Sequence, residues 1–116
     1  MENVKNLLEK DVVSSSELIK LLEARSKGEV DFLLIDVRED FEYQMAHIDG
    51  VDRLLPTSSF QSWAPKLLEE DKDKTIIFTC RTDNRSGQVA NILRANGLKA
   101  INHLGGIVSY GGKIVQ

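Results

Sequence analysis

Apolar runs of strand length alternate along the chain with longer stretches of helical spacing, each closed by a glycine or a charged turn. That alternation predicts an α/β domain. Val12–Val13 reads as a short opening strand. Ser14 to Ser16 offer N-caps, and Ser14 with Glu17 has the spacing of a capping box. Leu18, Leu21, Leu22 and Arg25 then fall on one face of a helix that Gly28 stops. Phe32 to Ile35 is an unbroken apolar run of the kind buried on both faces of a parallel sheet, with Asp36 and Arg38 following at its C-terminal end.

Further along, Leu54 and Leu55 before Pro56 predict a brief strand. Ser58 to Glu70 predicts a helix burying Phe60, Trp63, Leu67 and Leu68, with Pro65 dividing it into two short pieces. Thr75 to Thr79 is a β-branched and aromatic run after the charged turn Asp71 to Lys74. A helix is expected from Ser86, with Val89, Ala90, Ile92 and Leu93 as its buried stripe and Asn96–Gly97 as its stop. A last strand, Lys99 to Leu104, leads into Gly105–Gly106. No repeat or linker interrupts the pattern. It predicts one domain over residues 1–116, with its core at about 12–110, built as a doubly wound, mainly parallel sheet with helices on both faces.

Composition narrows the partners. A chain of 116 residues, 41% hydrophobic and 28% charged, suits a single globular domain that needs neither metal nor disulfide to hold its core. Fifteen basic against eighteen acidic side chains leave a net charge of −3, so no overall positive field gathers phosphate backbones, and nucleic acid is not expected as a partner. The single cysteine forms no internal disulfide, which points to the reducing cytoplasm. The opening residues interleave Glu2, Lys5, Glu9, Lys10 and Asp11 with short apolar pairs. We therefore expect an intact cytoplasmic chain with neither leader peptide nor membrane span.

The chemistry concentrates where the Thr75–Thr79 strand ends. Ligands of open α/β sheets bind outside the carboxyl ends of the strands, and Cys80 stands there, ahead of Arg81, Thr82, Asp83, Asn84, Arg85 and Ser86. A loop this tight turns several main-chain N–H groups toward one centre, and the following helix adds positive potential. Those donors, with Arg81 and Arg85 beside them, favour the thiolate of Cys80 and make it a nucleophile. A lone cytosolic cysteine is most often a small buried hydrophobe. A strand-to-helix turn carrying two arginines is a poor place for one.

Cys80-Arg81-Thr82-Asp83-Asn84-Arg85-Ser86 resembles the active-site loop of single-domain rhodaneses, a Cys-x4-Arg pattern followed by a small hydroxyl residue. Asp36-Val37-Arg38-Glu39 with Glu42 and Ala46-His47-Ile48-Asp49-Gly50-Val51 resemble the family's upstream signature, and Gly105-Gly106 with Tyr110 its C-terminal one. The resemblance implies a sulfurtransferase. Cys80 would take a sulfane sulfur from thiosulfate or a similar donor as a persulfide and pass it to a thiol, cyanide or a protein acceptor, without cofactor or metal. It further implies that main-chain N–H groups from Arg81 to Ser86 cradle the persulfide, that Arg85 completes the cradle, that Arg81 attracts the donor, and that Asp36 and Arg38 are structural braces. Cysteine phosphatases use one more residue between cysteine and arginine, giving a wider cradle than this loop provides. The alternative reading is a non-enzymatic persulfide carrier or regulatory module working with a partner protein.

Several residues depart from the pattern or invite other roles. Asp83 stands where many members have glycine, a position with positive φ that Asp enters more readily than most residues. Facing the pocket, its charge would weaken an anionic donor about a hundredfold at roughly 6 Å, so we expect it to point outward and pair with Arg81 or a partner. Ala46, Asp49 and Tyr110 replace the family's usual Gly, Pro and Trp. His47 reads as a structural histidine, and His103 occupies a usually apolar position. His47, His103 and Cys80 are too widely spaced for a zinc pattern. Gly105–Gly106 reads as a close backbone approach to the loop rather than a phosphate site. Gly111–Gly112 precede an apolar tail, read as a frayed end or a contact with another subunit.

Overall fold

The computed structural model describes residues 3–116; Met1 and Glu2, where the expected leaderless N-terminus begins, lie outside the described residues. Its elements are α1 (Val4–Leu7), β1 (Val12–Val13), α2 (Ser15–Ser26), β2 (Leu33–Asp36), α3 (Asp40–Met45), β3 (His47–Ile48), β4 (Arg53–Leu54), α4 (Phe60–Glu70), β5 (Thr75–Thr79), α5 (Asn84–Ala95), β6 (Lys99–His103) and β7 (Ile114–Val115). Five strands form one sheet in the order β1-β6-β5-β2-β4, every pairing parallel.

Because the central strands are covered on both faces, their residues divide between two cores rather than between core and water. Ile35, Ile76, Phe78 and Ala100 pack with Trp63, Ala64 and Leu67 of α4 and with Val89, Ala90 and Leu93 of α5. Leu34, Ile77 and Ile101 pack on the opposite face with Leu18 and Leu21 of α2 and with Leu7 of α1. The expected doubly wound architecture is therefore present. Its core reaches further toward the N-terminus than the expected limit near residue 12, since Leu7 is buried.

Local signals account for the helix ends. The Ser14–Glu17 capping box closes in both directions: the Ser14 hydroxyl accepts from the Glu17 N–H, and Glu17 accepts from the Ser14 N–H at 2.9 Å. Gly28 follows the end of α2 with φ +75°, the left-handed conformation of a glycine stop. Arg25, expected on the apolar face, lies over the Phe32 ring and donates to Asp52 and to the carbonyls of Phe32 and Gly50.

Four expectations shift. Pro65 does not divide its helix. A 3-10 turn over Thr57–Ser59 leads into one continuous α4, because Pro65 and Gln61, whose carbonyl it leaves without an in-helix donor, both sit on the exposed side. Helix α5 begins at Asn84 rather than Ser86, and Ile92 is 49% exposed, outside the buried stripe. The tail after Gly111–Gly112 is not frayed: β7 pairs antiparallel with β3, Ile48 opposite Ile114. Finally, α3 and the β3–β7 ribbon are additions that the sequence pattern did not announce.

Candidate active site

Chain direction places the site. From β2 the chain moves outward to β4, whereas from β5 it moves the other way to β6, so the carboxyl ends of β2 and β5 flank the point where the winding reverses. Crevices at such points are where open sheets hold ligands. In register, Asp36 lies opposite Thr79, and the Val37 N–H donates to the Thr79 carbonyl at 3.0 Å. Cys80 is the next residue.

The sulfur of Cys80 is turned inward, with the residue only 1% exposed. Of the N–H groups expected to line the loop, those of Asp83 and Ser86 point at Sγ, at 3.2 and 3.4 Å. The Ser86 hydroxyl lies 3.3 Å from Sγ and donates to the Asn102 side-chain oxygen at 2.6 Å. Two fixed main-chain donors at the start of α5 thus converge on one sulfur. Negative charge there would be stabilised without reorganisation, in a site from which water is excluded. Thr82 and Asn84 contribute backbone to this turn, while their side chains are exposed.

Arg85 departs from its expected place in the cradle. Its guanidinium makes a bidentate pair with Glu42 of α3, at 2.7 and 2.9 Å. The Arg85 guanidinium holds the Glu42 carboxyl down at about 2, so the pair stays ionised throughout the neutral range. Glu42 also accepts from the Glu39 N–H as the α3 cap. The arginine therefore ties the loop to α3. Arg81 remains exposed at the rim.

Asp83 adopts φ +107°, the positive value expected at the family's glycine position. Its side chain does not pair with Arg81. Instead it accepts from the Gly105 N–H at 2.7 Å, because the Gly105–Gly106 turn runs directly over the loop. The Ile107 N–H donates to the Cys80 carbonyl and the Val108 N–H to the Arg81 carbonyl. A Cβ on Gly106 would collide with the Arg81 carbonyl oxygen, so the glycine serves close backbone approach, as expected.

Asp36 and Arg38 form a buried ion pair at the C-terminal end of β2. Arg38 donates to both Asp36 oxygens and to the Ala46 carbonyl, the pair being 1% and 5% exposed. His47 is structural, stacked on Tyr43 at 3.7 Å with Nδ1 at the Tyr43 carbonyl. His103 is fully buried between the Ser15 and Thr79 hydroxyls, each at 2.8 Å, and Tyr110 meets its ring edge-on. Burial pushes its imidazole down to about 4, against a smaller opposing pull from Asp83. Sequence reasoning missed the roles of Asn102 and Glu42. Glu42 had been quoted only as part of a pattern, and nothing local to Asn102 signals its bond to Ser86.

Comparison with known proteins agrees with this architecture. The rhodanese-like domain family matches residues 16–113. Rhodanese-like/PpiC domain-containing protein 12, chloroplastic, of Arabidopsis thaliana is 39% identical over 70% of the chain, and the tRNA uridine(34) hydroxylase of Cronobacter sakazakii is 29% identical over 89%. The chain spans only 27% and 31% of those two proteins. Among solved structures, a rhodanese-related protein from Thermoplasma volcanium superposes with a TM-score of 0.75 at 25% identity, covering 91% of this chain and 98% of its own. A rhodanese-like domain protein from Staphylococcus aureus gives 0.71 at 25% identity, covering 90% and 94%. With the parallel sheet, the cysteine loop at its winding reversal and a match over most of its length, the chain belongs to the rhodanese-like domain family.

Proposed function

We propose that the protein is a sulfurtransferase that moves a sulfane sulfur from thiosulfate, polysulfide or a similar donor to a thiophilic acceptor through a Cys80 persulfide. The observation that carries this reading is the convergence of the Asp83 and Ser86 N–H groups on Sγ. With thiosulfate, the Cys80 thiolate attacks the outer sulfur, a new S–S bond forms, the donor's S–S bond breaks and sulfite leaves. An acceptor such as cyanide then attacks the terminal sulfur, thiocyanate departs and the thiolate returns. Both steps are displacements at sulfur that conserve electrons, so ping-pong kinetics are expected. No metal or cofactor enters them. Cys80 is the sulfur carrier, and Arg81, Thr82, Asp83, Asn84, Arg85 and Ser86 form the binding loop.

The partners we assign are a small sulfur donor and a thiol or cyanide acceptor, with a protein acceptor as a further candidate, in the cytoplasm and without nucleic acid or membrane. Among the described residues no helix is long and apolar enough to cross a membrane. Hydroxylation of tRNA, which the name of the Cronobacter relative states, is not extended to this chain, which spans 31% of that protein and carries a net charge of −3. A second reading is favoured by the burial of Cys80: a persulfide carrier or regulatory module that exchanges sulfur only inside a complex.

Turnover separates the two. An enzyme releases many equivalents of thiocyanate from cyanide and either thiosulfate or polysulfide, and Cys80→Ser abolishes this. A carrier releases one equivalent per chain and stops. Release that continues in Cys80→Ser would overturn both readings.

A further inference from the structure

The charges around the cysteine loop do not make the cationic mouth that two loop arginines suggest. Arg85 is neutralised by its bidentate pair with Glu42, and Arg38 by Asp36. Arg81 is left exposed at the rim, and Asp83 adds a negative charge to the same loop. The Asp83 N–H lies 3.2 Å from Sγ, and the covalent lengths of one residue then keep its carboxylate within about 7 Å of the sulfur. It cannot swing far away. The Gly105 N–H holds it at 2.7 Å, and the Asp83 carbonyl accepts from the Gly87 N–H at 2.8 Å.

We propose that Asp83 sets the donor specificity of the site: its latched carboxylate disfavours the thiosulfate dianion and selects organic hydropersulfides, which bring at most one negative charge to the reacting sulfur. This rests on the sulfurtransferase reading and narrows its substrate class. In the loading step the Cys80 thiolate attacks the outer sulfur of RS–SH. The Cys80 S–S bond forms, the R-side S–S bond breaks, and RS⁻ leaves with the electron pair while the proton stays on the transferred sulfur. One negative charge stands on each side of the equation. No oxidant is required. With thiosulfate, the same attack brings two further negative charges beside a carboxylate that is already fixed in place. At an effective dielectric near 20, each additional unit charge about 7 Å away changes affinity by roughly fiftyfold before screening, so a tenfold discrimination survives considerable solvent exposure.

Loading rates for cysteine hydropersulfide and for thiosulfate, measured on the wild type and on Asp83→Asn, test this. Asparagine tolerates positive φ and keeps an oxygen for the Gly105 N–H, so the latch is retained while the charge is lost. The wild type is expected to favour the hydropersulfide at least tenfold in kcat/KM. Asp83→Asn is expected to shrink that ratio about tenfold, mainly by lowering the thiosulfate KM. A ratio unchanged in Asp83→Asn overturns the proposal. Salt provides a check that needs no variant: raising ionic strength should increase the wild-type thiosulfate rate by screening the carboxylate, and a decrease would show that the mouth acts as a cation. Equal loading from both donors defeats the role of Asp83 alone. Loading from neither, nor from polysulfide, defeats the sulfurtransferase reading beneath it.

Discussion

His103 bridges the Ser15 and Thr79 hydroxyls one residue away from the nucleophile, in a site with no exposure to water. Its folded-state value, about 4, lies below the ordinary 6.5, so the unfolded chain binds this proton first as pH falls. The neutral ring's contribution is therefore complete above about pH 6.5 and is lost progressively toward pH 4. One proton over the interval from pH 6.5 to 5 corresponds to about 2 kcal/mol. We expect urea unfolding to show that loss in the wild type and a flatter profile in His103→Gln; a resonance assigned to the His103 imidazole, by its absence from His103→Gln, that titrates near 6.5 in the folded protein would refute it. Asp83 shows how far single residues could be read from the sequence. Its positive φ followed from a glycine position that an Asp can occupy, whereas its partner, Gly105, lies 22 residues away and is brought near only by the sheet. Asn102, bonded to Ser86 across 16 residues, escaped notice for the same reason.

Segments with strong local signals were legible: the Ser14–Glu17 capping box, the apolar runs of β2 and β5, and the glycine stop of α2 all stand where the pattern put them. The misjudged ones turn on where side chains face. Pro65 was given the power to break a helix, but both it and the carbonyl it frees meet solvent, and Trp63 pins α4 by donating to the Pro56 carbonyl at 2.8 Å. Ile92 has the spacing of the buried stripe but lies at its margin, half exposed. The glycine turn after β6 carries a sharper expectation. Gly106 has φ +64°, and an added methyl would press on the Arg81 oxygen and the Thr82 nitrogen. Gly106→Ala should cost about 2 kcal/mol or more from backbone strain and contact, read as a lower urea midpoint. It should also slow sulfur transfer at least tenfold, since the displaced backbone belongs to the cysteine loop. Unchanged midpoint and rate would show that the turn yields freely.

The architecture as assembled follows from consistency across these levels: strand runs buried on both faces require helices on both sides, and that requirement fixes a doubly wound sheet. The β3–β7 ribbon lay beyond this reasoning, because two-residue strands carry too little pattern and their pairing joins positions 66 or more residues apart. The placing of Cys80, Asp36 and Arg38 at strand ends could be read along the chain; the Arg85–Glu42 tie to α3 could not, since an ion pair between distant elements has no signature there. The central claim is that Cys80 carries sulfur covalently, and intact mass after incubation with polysulfide or thiosulfate tests it most directly. The account predicts a gain of about 32 Da, one sulfur, that cyanide removes and that Cys80→Ser does not acquire. An unchanged mass with both donors, or a gain that persists in Cys80→Ser, would contradict it.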